Sequence, residues 1–355
     1  MNFNLNKFHK DFKLNNNSFT TVDELLIYIK SFSTEIYQFL EEWFSENEFV
    51  VVQTSGSTGK PKLIQLQKEQ MLNSAFATRD FFNLNENTTA LLCLPVAYIA
   101  GKMILVRAIT LGWSLDVVLS NSNPLKGVSK VYDFSAMVPL QVESSIYNLN
   151  KIKKLIVGGG VVSNKLQKSL ESLSTEVYAT YGMTETITHI AVKKLNKLTL
   201  ENKNKEFYKI LPNTTIYIDE RNCLVIKNSK VSNKIIFTND VVRLVSNTQF
   251  EWLGRFDNVI NSGGIKLHPE KIEEKLSKII EERFFVTGVP DEKLGEKLVL
   301  IIESSVCLTL LKDKIKELDI LSKFEIPKDI YFVDNFIETE TKKIQRKKTM
   351  DLIKF

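Results

Sequence analysis

Apolar residues recur at helical spacing in Leu25, Leu26, Ile29 and Phe32, which predicts a helix within residues 20–46. The β-branched run at 49–52 predicts a buried strand. Ile64 and Leu66 alternate with Gln65 and Gln67 and predict a second one. Between them lies a Ser/Thr/Gly/Lys segment, 54–62. A helix over 68–82 and a strand over 89–94 follow, and then a helix over 102–111 that is apolar on almost every face. The strand predicted at 155–157 runs into three glycines, Ser163 is placed to cap the next helix, and a strand at 176–181 runs into Gly182.

The pattern changes near residue 214. Short strands are predicted at 215–218, 224–226, 235–238, 241–245 and 250–253, with polar turns between them. Alternating β and α followed by a β-rich section predicts a large α/β domain with a β subdomain. A third pattern begins after Arg255. Pro269 opens a helix at its favoured first position. Strands at 284–288, 297–302 and 329–333 and a helix at 308–318 make a small α+β unit with a basic tail. The expected domains are therefore 1–256 and 257–355.

Composition narrows the function classes. Lys+Arg 47 against Asp+Glu 42 leaves a net charge of +5, which suits an enzyme acting on phosphorylated anions without requiring nucleic acid. The lysines are scattered, so no nucleic-acid partner is expected. Cys93, Cys223 and Cys307, and His9, His189 and His268, show neither disulfide nor metal-ligand spacing. A His/Cys zinc site is excluded, and the cysteine usage predicts a reducing, cytoplasmic setting. The longest apolar run, 90–101, contains Pro95 and is too short to span a bilayer, so no membrane insertion is expected. Glycine is scarce, 14 residues, yet nine of them cluster at 56 and 59, 158–160, 182, 254, and 263–264. Such placement points to backbone access or positive φ.

The strongest chemical signal is Thr54-Ser55-Gly56-Ser57-Thr58-Gly59-Lys60-Pro61-Lys62. Backbone N–H groups freed by glycine, hydroxyl donors and lysines are what a polyphosphate requires. The two glycines are three residues apart, Pro61 follows the lysine, and a strand comes next. That is a strand–loop–strand clamp and not a P-loop.

This loop resembles the signature of the acyl-adenylate-forming superfamily, the acyl- and aryl-CoA ligases, and four further motifs follow in that family's order. Tyr181-Gly182-Met183-Thr184-Glu185-Thr186 resembles the second signature; the resemblance implies that Thr184 touches phosphate and Glu185 holds Mg²⁺. Thr238-Asn239-Asp240 resembles T-G-D, with Asp240 on the ribose hydroxyls and Asn239 replacing glycine. Gly254-Arg255-Phe256-Asp257 resembles the hinge motif, with Arg255 near the ribose and Asp257 as pivot. Thr339-Glu340-Thr341-Lys342-Lys343-Ile344-Gln345-Arg346 resembles T-x-T-G-K-I-x-R, which makes Lys343 the catalytic lysine and puts Lys342 where the family has glycine. Gly158, Gly159 and Gly160 resemble the loop that packs on adenine, and Gly263 and Gly264 would line the pantetheine tunnel.

The resemblance covers residues 49–347. It implies the adenylate-forming fold, with a mobile C-terminal domain and an N-terminal part shortened before the phosphate loop. It also implies two half-reactions. A carboxylate attacks ATP to give acyl-AMP, and coenzyme A then takes the acyl group. The partners expected are a small carboxylate, ATP and CoA, with the protein a monomer or homodimer.

Arg107 lies inside the apolar helix, and a buried guanidinium needs an anion. Two readings stand: an ion pair with an Asp or Glu of the same domain, or a second carboxylate on the substrate. The stretch 94–102 with Arg107 resembles the o-succinylbenzoate–CoA ligases of menaquinone biosynthesis, which would make Tyr98, Lys102 and Arg107 substrate-binding. Tyr98 stands where many members have histidine. The alternative is another aryl- or short-acyl-CoA ligase, or an adenylating enzyme that loads a carrier protein.

Overall fold

A computed structural model describes residues 7–53, 63–198, 207–305, 311–339 and 344–353. Its centre is a sheet of 13 strands. Six of them run parallel, in the spatial order Lys13–Leu14, Ser114–Val117, Thr89–Leu92, Tyr132–Met137, Ile152–Val157 and Glu176–Gly182. Side chains alternate between two cores. Ala90, Leu92, Phe134, Ala136 and Ile156 face the helices Lys68–Phe82 and Ile99–Leu111. Leu91, Met137, Leu155 and Val157 face the opposite side, where Val142, Leu166 and Leu170 cover the sheet. The central strand Thr89–Leu92 is buried on both faces, and its Ala90–Leu92 part reads accordingly as a continuous apolar run.

The short strands predicted after residue 214 join this same sheet. His189–Lys194 turns back antiparallel on Glu176–Gly182, and Tyr208–Ile210, Gln249–Arg255, Ile236–Ser246, Cys223–Lys227 and Thr215–Ile218 extend it. Two expected strands, 235–238 and 241–245, form one strand whose pairing to Gln249–Arg255 shifts register between Val241 and Val242. A second sheet contains Ile260–Ser262, Ile265–Leu267, Phe284–Asp291, Gly295–Glu303 and Asp329–Val333, packed on Pro269–Leu276 and Leu311–Lys316. The helix Leu311–Lys316 is shorter than the predicted 308–318, whose residues 308–310 lie outside the described ones.

Strands Phe49–Gln53 and Leu63–Gln67 pair antiparallel, with Gln53 opposite Leu63. The segment 54–62 that they enclose lies outside the described residues. The helix at 68–82 has the predicted bounds, and Ser163 caps its helix by accepting from the Leu166 N–H. Several short strands were not legible in the pattern. Tyr132–Met137 carries Asp133 and Ser135 in its middle, and Lys13–Leu14 is too short to show alternation.

The helix expected within 20–46 is two helices, Val22–Lys30 and Thr34–Phe44. Ser31 closes the first, donating its hydroxyl to the Tyr28 carbonyl. Ser33 opens the second by accepting from the Ile36 N–H. Serine competes with the helical backbone in this way, which apolar spacing alone does not reveal. Ser33→Ala should therefore cost about 1 kcal/mol in urea unfolding, whereas Ser31→Ala should change little.

Candidate active site

In the parallel sheet, Ser114–Val117 lies on one side of Thr89–Leu92 and Tyr132–Met137 on the other. The order in which successive strands are added reverses there, and ligands of open α/β sheets bind beyond the carboxyl ends of strands at such a point. Residues 93–98 leave the sheet at this place. Gly158, Gly159 and Gly160 follow the strand Ile152–Val157, and the Gly158 N–H bonds the Met137 carbonyl at 3.1 Å. Tyr181 and Gly182 end the neighbouring strand.

Asp240 is the centre of a polar cradle. Its carboxylate accepts from the Tyr181 hydroxyl at 2.7 Å and from Trp252 Nε1 at 3.2 Å, while Arg255 Nε stands 3.9 Å away. Register pairs Asp240 with Arg255 directly across the strands. The Asp240 N–H is held by Thr238 Oγ1 at 3.1 Å, and Thr238 donates to the Leu224 carbonyl at 2.7 Å. Burial, and then the charge of Asp240 and its hydrogen bond, push the Tyr181 hydroxyl well above its usual range, so it remains a donor. A carboxylate offers about four lone-pair sites. Two are taken by these donors, and the others suit the hydroxyls of a ribose.

The segment after Tyr181 is tightly built. A Cβ on Gly182 would collide with the Thr188 carbonyl and the His189 backbone, so only glycine permits that strand pairing. Thr184–Thr186 forms a 3₁₀ turn, braced by Thr186 Oγ1 on Met183 and on the Thr188 carbonyl. Glu185 is exposed on this turn and Thr184 is half-buried. Ile187 then has φ +67° and ψ −67°, with the Thr188 N–H bonded to the Thr186 carbonyl at 2.8 Å. This is a strained γ-turn, and a β-branched residue there costs about 1–3 kcal/mol. Ile187 is fully buried.

Just beyond that turn lies Arg107, only 2% exposed. Nε donates to Thr78 Oγ1 and Nη2 to Thr188 Oγ1, each at 3.2 Å. Thr188 also bonds Ser74 at 3.1 Å. Among the described residues no Asp or Glu pairs with Arg107. Burial pulls the guanidinium down to about 9. His189 is buried beside it, and its Nε2 has no partner among the described residues. Burial, and then the charge of Arg107, hold this imidazole well below its usual range.

The other expected substrate residues lie apart from that cluster. Lys102 is five positions before Arg107, about 140° around the helix. Its Nζ sits 4.5 Å over the Phe39 ring, and burial lowers its pKa against the pull of Glu42 and Glu35. Tyr98 precedes the helix Ile99–Leu111 and is exposed.

Asp257 is exposed in the turn Phe256–Asn258, between the two sheets, where Arg255 approaches it at 3.8 Å and Asn239 donates to it. A cavity of about 590 Å³ lies alongside, lined in part by Phe256, Val259 and His268. Gly263 and Gly264 form the two-residue turn between Ile260–Ser262 and Ile265–Leu267, with φ +58° and +80°. Two successive positive φ values suit glycine in such a hairpin. Lys343 lies outside the described residues, as do Thr54, Ser55, Gly56, Ser57, Thr58, Gly59 and Lys60. The flanks of the lysine segment are ordered by a Glu338–Ile344 bridge and by Arg346, which pairs with Glu273 at 2.8 Å. Burial raises Glu273 to about 7 even so.

Sequence reading missed Trp252, Thr78, Thr188 and His189. Trp252 has a signal, three residues before Arg255 on a predicted strand. Thr78 meets Arg107 only when the helix Lys68–Phe82 packs on Ile99–Leu111, and Thr188 and His189 reach it only through the link into the strand His189–Lys194.

His189 makes stability depend on pH. The unfolded chain protonates it near 6.5, while the fold holds it neutral. Its contribution is complete above pH 6.5 and is lost as pH falls, at up to about 1.4 kcal/mol per unit. Urea unfolding between pH 6.5 and 5 should show a shallower slope for His189→Gln than for the wild type.

A family profile described as AMP-binding enzyme matches residues 17–230. A 2-succinylbenzoate–CoA ligase of Geobacillus sp. (strain WCH70) is 26% identical, over 90% of this chain and 72% of that relative. One from Lactococcus lactis is 23% identical over 84% and 70%. A crystal structure of an acyl-CoA synthetase (AMP-forming)/AMP-acid ligase II-like protein from Dyadobacter fermentans is 38% identical, covering 90% of this chain and 93% of that one at a TM-score of 0.60. The o-succinylbenzoate coenzyme A synthetase of Bacillus subtilis, solved with ATP and magnesium ion, shares the fold at a TM-score of 0.73 and 20% identity, over 94% and 82%. With the profile spanning more than half of the chain, and with the strands and turns around Tyr181 assembled as described, this chain belongs to the AMP-binding enzyme family.

Proposed function

We propose that this chain joins a carboxylic acid to coenzyme A through an acyl adenylate, and that the acid is o-succinylbenzoate. The observation that carries the substrate reading is the buried Arg107, held by hydroxyls alone among the described residues. Taking a guanidinium out of water costs several kcal/mol unless an anion faces it. A dicarboxylate substrate supplies that anion at one end and the reacting group at the other. The curated relatives named above act on such an acid.

In this reading Asp240 accepts the ribose hydroxyls while Tyr181 and Trp252 hold its orientation. Arg255 stands across from it. Gly158, Gly159 and Gly160 leave backbone open beside the adenine. The loop 54–62 supplies donors to the β and γ phosphates, and Thr184 to the phosphate undergoing attack. Glu185 is an exposed single carboxylate, which suits Mg²⁺ because that ion keeps waters and substrate phosphates as most of its ligands. When bound, the ion neutralises charge on the phosphates. Lys343 bridges the attacking carboxylate and the α-phosphate, and preorganised cations of this kind stabilise charge that develops in the transition state. Rotation of residues 257–355 about Asp257 then withdraws Lys343 and admits the thiol past Gly263 and Gly264, a hinge motion. The two buried, unpaired cysteines, Cys93 and Cys223, accord with a reducing cytoplasm. No helix among the described residues is long and apolar enough to cross a membrane.

AMP release with CoA present tests the substrate. o-Succinylbenzoate should outperform 4-oxo-4-phenylbutanoate, which lacks the ring carboxylate, by about 100-fold in kcat/KM. Equal turnover of both would discard the dicarboxylate reading, and preference for a carrier protein over CoA would point to an adenylating enzyme. Arg107→Met should raise KM for o-succinylbenzoate while leaving KM for ATP unchanged. It should also hold or raise Tm, because an apolar replacement removes an uncompensated buried charge; a large loss of Tm would mark Arg107 as structural.

Lys343→Ala should abolish adenylate formation by about 100-fold or more yet still transfer a supplied acyl-AMP to CoA. Equal loss of both half-reactions would refute the division of labour about the hinge.

A further inference from the structure

We infer that His189 is a second specificity-determining residue: its Nε2–H donates to the same substrate carboxylate that Arg107 binds. This rests on the reading of Arg107 given above. Both side chains are buried, and Thr188 joins them, since its hydroxyl accepts from Arg107 and its backbone continues into His189. Among the described residues the guanidinium meets only Thr78 and Thr188, and the imidazole Nε2 meets nothing.

A cation that has only hydroxyl acceptors and a neutral donor that has none are thus gathered without an anion among the described residues. Buried polar atoms are ordinarily paired, so an orphaned one calls for an explanation. A carboxylate has two oxygens and satisfies both groups at once. Neutrality also matters chemically, because a second buried cation would repel Arg107 whereas a neutral donor adds a hydrogen bond without that cost. The backbone is arranged to hold the position. The strained γ-turn at Ile187 leads directly into Thr188, and Gly182 pairs closely with His189 across the strands. Strain of this kind persists where surrounding structure enforces it and concentrates at ligand sites.

The test compares the full-length wild-type enzyme with Arg107→Met, His189→Phe and His189→Gln. Phenylalanine keeps ring volume and removes the donor, and glutamine keeps an N–H. KM is measured for ATP, o-succinylbenzoate and 4-oxo-4-phenylbutanoate. His189→Phe should raise KM for o-succinylbenzoate about 10-fold or more, with KM for ATP and for the monocarboxylate little changed. His189→Gln should recover most of the loss. An unchanged preference in His189→Phe, alongside a lost preference in Arg107→Met, would overturn the inference and leave the Arg107 reading standing. A wild-type enzyme without preference would overturn both. Should the phenylalanine variant fail to fold, ¹⁵N-imidazole NMR of the wild type decides the matter. The His189 Nε2 resonance should move with o-succinylbenzoate and not with the monocarboxylate, and absence of that shift would overturn the inference.

Discussion

A guanidinium buried inside an apolar helix, with hydroxyls for partners, sets the terms for much of this structure. The helix Ile99–Leu111 is buried along almost its whole length, so Arg107 has no route to solvent. Its hydrogen bonds come from two directions. Thr78 is supplied by the helix Lys68–Phe82, and Thr188 by the link between Glu176–Gly182 and His189–Lys194. The γ-turn at Ile187 delivers the second of these. Charge burial of this sort is expensive to the fold, and it persists where function gains from it.

Two groups of polar residues have opposite electrostatic character. On one side Asp240 and Glu185 supply carboxylates, the first nearly buried and the second exposed. On the other, Arg107 is a cation with no Asp or Glu partner among the described residues, and burial beside it holds the His189 imidazole well below its usual range. A ribose and a hydrated divalent ion suit the first environment, and an organic anion suits the second.

The turn Phe256–Asn258 between the two sheets is held by exposed contacts. Asp257 is exposed and is met by Arg255 and Asn239. Asn239 occupies the place of a glycine in the resembling motif and uses its amide there, so that departure has a structural consequence. Within the second sheet, the Arg346–Glu273 pair ties the end of the lysine-bearing segment to the helix Pro269–Leu276. Burial drives Glu273 upward while Arg346 pulls it down, and burial prevails.

Much of this was determined by the sequence alone. Alternation and helical spacing located most strands and the bounds of the helix Lys68–Phe82. Hydroxyls, glycines and lysines at fixed offsets marked 54–62 as the candidate phosphate loop, because phosphate recognition depends on local backbone and side-chain donors; that segment lies outside the described residues. The apolar surroundings of Arg107 marked it as buried. Other features needed tertiary structure. Serine capping split one expected helix in two, since a hydroxyl competes locally with the backbone. The family resemblance grouped Lys102 with Arg107, and helix geometry turned them to different faces. Trp252 reached Asp240 by strand register, and His189 reached Arg107 by the packing of a sheet on a helix. Periodicity reports which residues are buried; only the packed chain decides which buried polar atoms find partners and which are left for a ligand.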